Sequence, residues 1–174
     1  MRIRSKIVGA LLTLLASPSI PPATAQQPTT RIGGLEIRYD PSQWQIAVPS
    51  ADVVVLSPTG LIAGKHDAVR ISRRKGDTID ACASDAREQW AASLYHEPQP
   101  STVTTSGREW RRLVSHTRCR NATPNGVMLC TAHEGDLYTL TVLNRISACR
   151  NVESVLFPDP SLLDGLMAGL SFSP

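Results

Sequence analysis

Four histidines, four cysteines and two runs of arginine are the residues of this chain best equipped to act on another molecule. A serine nucleophile needs a histidine base that is itself oriented by an acid, and it commonly sits on a Gly-x-Ser-x-Gly elbow that exposes its oxygen. No such string occurs, and His66, His96, His116 and His133 are scattered over four segments. His116 and His133 fall on what read as neighbouring strands. A favourable register would make them a functional pair, and any other register leaves them as partly exposed strand histidines. Glycoside chemistry needs two carboxylates about 5 to 9 Å apart, and the sequence selects no such pair. Asp77 and Asp80 read as helix-start residues and Asp40 as a turn residue. No catalytic residue is therefore assigned.

Cys82, Cys119, Cys130 and Cys149 are an even set, which in an oxidising compartment reads as two disulfides with three possible connectivities. Cys119 and Cys130 flank a turn-rich stretch, Asn121 to Gly126, between two strand-like runs. The expected pairs are Cys119–Cys130 across that hairpin and, by elimination, Cys82–Cys149. In the chain-entropy model such loops contribute roughly 3 and 4 kcal/mol. A metal site is the rival reading, but there is no Cys-x-x-Cys and no histidine at ligand spacing from a cysteine, so no metal and no cofactor are expected. The same missing motif argues against thiol redox chemistry.

The arginines form two clusters: Arg70, Arg73 and Arg74 with Lys75, and Arg108, Arg111, Arg112, Arg118 and Arg120. The first follows one predicted strand and the second runs along another. If those strands are adjacent, the clusters merge into a patch for an anionic ligand or a docking partner, since guanidinium groups match planar carboxylate and phosphate. The favoured plainer reading is a solvated sheet face whose charges are offset by Asp and Glu. Arg70, Arg73, Arg74, Arg111, Arg112 and Arg118 are the candidate partner-binding residues.

Composition sets the compartment and excludes some partners. Arg2, Arg4 and Lys6 precede an apolar run from Ile7 to Ala16, and Ala23-Thr24-Ala25 follows, which is the order of a secretory signal peptide over residues 1–25. That run is about half the roughly 20 residues a helix needs to cross a bilayer, so no membrane span is expected after processing. No cysteine follows the run directly, which argues against lipid anchoring. Losing Arg2, Arg4 and Lys6 takes the eighteen basic residues to fifteen, against fifteen acidic ones. A neutral domain lacks the electrostatic footprint of nucleic-acid binding. The expected location is the periplasm or outside the cell of a bacterium, where the formal glycosylation sequon Asn121-Ala122-Thr123 is incidental.

Residues 26–174 read as one domain, with 26–30 disordered. Ile32, Leu35, Ile37 and Tyr39 alternate loosely, and Asp40-Pro41-Ser42 turns the chain toward Trp44–Val48, which predicts a first hairpin. Asp52–Leu56 and Ala68–Ser72 read as strands. Ile79, Cys82, Ala86, Trp90 and Leu94 step by three and four, which predicts a helix beginning after Gly76 with those residues buried. The partner of Cys82 is then expected beneath that helix. From Thr102 to Ile146 strands alternate with turns at Ser106-Gly107, Pro124-Asn125-Gly126 and Glu134-Gly135-Asp136, which predicts an antiparallel meander. Ser161 and Asp164 open a short amphipathic helix carrying Leu162, Leu163, Leu166, Met167 and Leu170. The expected class is α+β: an antiparallel sheet packed by a central helix and a short C-terminal helix.

This order of elements, with Tyr39-Asp40-Pro41-Ser42-Gln43-Trp44 near the start, Gly135-Asp136-Leu137-Tyr138-Thr139-Leu140 in the meander and a closing helix leading to Leu170-Ser171-Phe172, resembles the PsbP-like fold. That family is named for an extrinsic subunit of photosystem II and includes small exported bacterial proteins. The resemblance covers nearly all of the expected mature chain, although four cysteines are not a general family feature. It implies a non-enzymatic accessory or binding role and carries over no catalytic set. Two readings follow. One is an exported binding or accessory module acting through a sheet surface, with an unknown protein or anionic ligand as partner. The other is a small periplasmic hydrolase, which requires His66, His116 or His133 beside a carboxylate or hydroxyl in a pocket.

Overall fold

The computed structural model describes residues 27–60, 68–90, 98–116, 124–143 and 160–173. The expected leader, His66, Leu94, His96, Arg118, Cys119, Arg120, the sequon and Cys149 lie outside the described residues.

Alternating apolar residues build the strands, and which faces they bury decides the layering. In β4 (Val53–Pro58), Val54 and Leu56 point inward and are fully buried. β9 (Asp136–Leu143) buries both sets: Tyr138, Leu140 and Val142 on one face, Leu137, Thr139 and Thr141 on the other. A strand covered on both sides belongs at the centre of a sheet. Around it run β3 (Trp44–Ser50), β5 (Ala68–Lys75), β6 (Ser101–Thr105), β7 (Arg108–His116) and β8 (Pro124–His133). The seven-stranded sheet has the order β3-β4-β5-β9-β8-β7-β6, antiparallel at every step. Two meanders, β3 to β5 and β6 to β9, are thus joined along β5 and β9.

The topology dictates where the central helix must lie. To pass from β5 to the far edge at β6 the chain crosses β9, β8 and β7, and α1 (Ala81–Trp90) belongs to that crossing. Its stripe of Cys82, Ala86 and Trp90 is buried against Leu113, Met128, Cys130 and Leu137. Asp77 and Asp80 do begin this segment, but as ion-pair partners of strand arginines: Asp77 with Arg74 at 2.8 Å and Asp80 with Arg111 at 3.5 Å. The opposite face is covered by a three-stranded sheet of order β1-β2-β10, formed by β1 (Thr29–Ile32), β2 (Leu35–Arg38) and β10 (Leu170–Phe172), together with α2 (Pro160–Ala168). Ile32, Leu35, Ile37, Leu166 and Leu170 bury there with Ile71, Leu140 and Trp110. The result is an α+β domain, as expected, with the helices on opposite faces of the large sheet.

Four expectations on local structure are corrected. The stretch 26–30 is not wholly unstructured, because Thr29 and Thr30 open β1 and pair with Arg38 and Ile37. The first hairpin joins β1 to β2 through Gly33-Gly34. The Asp40-Pro41-Ser42 turn instead hands the chain from the small sheet to the large one, where Trp44 pairs with Pro58. That turn is well made: Asp40 Oδ1 accepts the Ser42 N–H and hydroxyl at 2.8 and 2.7 Å, and these bonds hold its carboxyl below the usual carboxylate range. Pro124-Asn125-Gly126 is not a turn but the start of β8. Its glycine serves packing, since a Cβ at Gly126 would stand 3.0 Å from the Trp90 ring. Leu170 leaves the C-terminal helix and starts β10.

The disulfide expectation is also overturned. Cys130 pairs with Cys82, not with Cys119, so the Cys82–Cys149 pair falls with it. The register explains why: β7 sets Arg111, not Cys119, opposite Cys130, and the Cys130 side chain points to the face that α1 covers. Cys82 therefore does find its partner beneath the helix.

Candidate functional site

The sheet order decides what the arginines can do together. β5 and β7 are separated by β9 and β8, so three strand spacings, about 14 Å, lie between them. The two clusters do not form one strand-to-strand patch. Their members also alternate between faces, and most are already engaged. Arg73 bonds Asp52 through Nε at 2.7 Å and through Nη2 at 2.6 Å, with Asp136 at 3.7 Å. Arg74 holds Asp77 and Asp85, and Arg111 reaches the carbonyl of Ile79 at 3.2 Å beside Asp80. These contacts tie α1 and its leading turn to the sheet. Arg70 and Arg112 are exposed, on opposite faces, with no ion pair among the described residues.

The histidine pair is excluded by register. His116 pairs with Pro124 at one end of β8, and His133 lies at the other end, nine residues or about 30 Å away.

The functional geometry gathers instead around Phe172, the last residue of β10. Its ring lies 4.3 Å from the His133 ring, 4.9 Å edge-on from Tyr138 and 6.4 Å from Trp110. The Arg108 guanidinium lies over it, 4.4 Å from the ring centre. Arg108 is then fixed in plane: Nη1 donates to the Ala132 carbonyl at 2.9 Å, and Nη2 stands 3.0 Å from His133 Nδ1. Arginine can only donate, so Nδ1 accepts and the neutral ring carries its proton on Nε2. That Nε2 is buried and has no hydrogen-bond partner among the described residues. A histidine so placed faces a cation where a catalytic base would face an orienting acid.

Two turns frame this cluster. Gly34 N–H donates to Tyr138 Oη at 3.1 Å, which seats the β1–β2 turn on the sheet. The β6–β7 turn has positive φ at both Ser106 (48°) and Gly107 (72°), the tight geometry that matches strand twist. Its hydroxyls end α2: Thr105 Oγ1 donates to the Met167 carbonyl at 3.1 Å and Ser106 Oγ to that of Ala168 at 3.2 Å. Between this turn and β10 is a cavity of about 160 Å³ lined by Thr105–Arg108, Trp110 and Leu170–Phe172. A second cavity, about 220 Å³, lies where the Asp40 turn meets α2, with Arg38, Tyr39, Asp40 and Gln43 along it.

Arg108 is the feature sequence reading did not single out. It stood in the second cluster, but nothing in the sequence marked it as the member that lies over an aromatic ring beside a cavity. Of its five N–H donors, two are used internally, and no Asp or Glu pairs with it among the described residues. It lines the smaller cavity as a fixed cation with donors to spare. Among the described residues no group of three or more His, Cys, Asp and Glu could hold a metal, and no helix is long and apolar enough to cross a membrane.

No protein-family model and no curated protein matches the chain. Among solved structures it is similar to the solution structure of cyanobacterial PsbP (CyanoP) from Synechocystis sp. PCC 6803, at 14% identity and a TM-score of 0.50 over 92% of this chain and 99% of that one. It also matches a protein from Bacteroides thetaiotaomicron at 14% identity and a TM-score of 0.47, over 86% of this chain and 49% of that one, so it spans about half that protein's length. At such identity the likeness speaks of architecture alone, and the architecture of this chain is the PsbP-like fold.

Proposed function

We propose that this protein is an exported, non-enzymatic binding or accessory module that holds an anionic group of its ligand at Arg108. The observation that carries this reading is a guanidinium fixed by Phe172, Ala132 and His133, lining a cavity and paired with no carboxylate among the described residues. A charge left without a partner costs free energy when its solvation is reduced, and an incoming carboxylate or phosphate restores the balance through charge-assisted hydrogen bonds. Immobilising the side chain beforehand removes part of the entropic cost of binding. The expected signal peptide and the Cys82–Cys130 disulfide support an oxidising, extracytoplasmic setting.

The test is titration of the intact, oxidised protein with acetate and with inorganic phosphate, following arginine Nε–H resonances by NMR. Arg108 is expected to shift saturably while Arg70 and Arg112 move only linearly, and Arg108→Gln should remove the saturable response. Equal, non-saturating responses at all three would overturn the reading.

A further inference from the structure

We infer that the ligand is an extended acidic peptide segment of a partner protein, which adds as a strand to the open edge of β10 and places its carboxylate against Arg108. This rests on the reading of Arg108 above and adds a second, separate set of contacts.

Strand parity supplies those contacts. Among the described residues β10 pairs with β2 on one side only, so it is an edge of the small sheet. Arg38 N–H donates to the Gly169 carbonyl at 3.0 Å, Ser173 N–H donates to the Gly34 carbonyl at 3.0 Å, and Ser171 stands opposite Glu36. Residues 169, 171 and 173 thus turn their backbone groups toward β2. In an antiparallel ladder the residues between them turn theirs the other way. The N–H and C=O groups of Leu170 and Phe172 therefore point out of the sheet edge, and both residues line the Arg108 cavity. No backbone partner for them is found among the described residues.

Size and charge choose the occupant. A cavity of about 160 Å³ is below the roughly 300 to 1,000 Å³ of small-molecule sites, but it is adequate for one carboxyl-bearing side chain or chain terminus. Open strand edges bind extended peptides through main-chain hydrogen bonds, with side-chain pockets adding selectivity. Here the pocket carries an unneutralised arginine, so the segment that fits is acidic. Because Arg108 lies over Phe172, the acidic group sits at the C-terminal end of β10.

The test uses the intact, oxidised protein and four versions of an acetylated pentapeptide of alternating threonine and valine ending in aspartate with a free carboxylate: the acid itself, its asparagine amide, and two forms of the acid with alternate backbone amides N-methylated, one in each register. Binding is read by calorimetry, and strand formation by amide shifts and hydrogen exchange at Leu170 and Phe172. The acid should shift both amides downfield and slow their exchange, and one N-methylated register should bind about tenfold more weakly, the loss expected for one to two hydrogen bonds. Arg108→Gln should weaken the acid to the level of the asparagine amide. Equal binding of acid and both N-methylated forms would keep Arg108 as an anion site but overturn strand addition. Failure of every peptide, together with a flat response of Arg108 to acetate and phosphate, would overturn both readings. Leu170 and Phe172 amides that already exchange slowly in the free protein would show the edge occupied by the chain itself or by a second copy, and would also overturn the inference.

Discussion

Arg73 and Arg108 lie on the same face of the large sheet and have opposite surroundings. Arg73, with its side chain only 16% exposed, sits between Asp52 and Asp136. Burial acts to lower its pKa, while the hydrogen bond and charge of Asp52, with help from Tyr138 and Asp136, outweigh that and raise it. Arg73 is thus a structural cation, and the β1–β2 turn rests on it. A Cβ at Gly33 would fall onto the Arg73 guanidinium and within 2.8 Å of Tyr138 Oη, at a φ of 55° that already disfavours a side chain. Gly33→Ala is expected to destabilise by roughly 2 kcal/mol or more in urea unfolding, of which left-handed strain supplies about 1 kcal/mol. In an Arg73→Ala background the overlap with the guanidinium is gone and only the Tyr138 Oη contact and the backbone strain remain, so the cost of Gly33→Ala should fall. An unchanged cost would show that the turn does not rest on Arg73.

Among the elements, the two helices differ in how fully their sequences announce them. The stripe of Cys82, Ala86 and Trp90 was legible because each of its residues is buried against one strand face, so the period of the pattern is the period of the packing. The stripe from Leu162 to Leu170 was misleading at its end. Gly169 closes α2 and receives the Arg38 N–H, and its Cβ would overlap the Arg38 carbonyl, so Leu170 continues the apolar pattern from a strand. A three-residue strand carries too little alternation to be told from a last helical turn. Gly165 gives the contrasting case, because it lies inside α2 with open space where a Cβ would go. Gly165→Ala is expected to raise stability by about 1 kcal/mol, the helix-propensity difference, whereas Gly169→Ala should lower it. A loss at Gly165 in thermal unfolding would mean that the helix does not span that residue.

On the scale of the whole molecule, the sequence revealed the meander and the α+β class but not the seam that joins the sheet. β5 pairs with β9 across more than sixty residues, and nothing in either strand's alternation names the other. The site was hidden for the same reason: Arg108 and His133 lie on neighbouring strands, but Phe172 comes from the last strand of another sheet, and only the folded topology brings it to them. The cystine pairing follows from that topology as well. Once α1 must cross the face of β7, β8 and β9, Cys82 is carried onto Cys130, and the bond closes a loop of 48 residues. In the chain-entropy model such a loop contributes about 4 kcal/mol, a large part of the roughly 5 to 15 kcal/mol that holds a domain folded. Both half-cystines are fully buried, so serine would bury a hydroxyl and confuse the comparison. The Cys82→Ala, Cys130→Ala double variant is the clean probe. It is expected to melt on the order of 10 °C below the parent in calorimetry, with amides of α1 losing hydrogen-exchange protection before those of β4 and β5. Peptide mapping of the parent should recover Cys82 linked to Cys130. An equal melting temperature, or a Cys130 peptide joined to Cys119, would mean that α1 is not clamped to the sheet as described and that the crossing runs elsewhere.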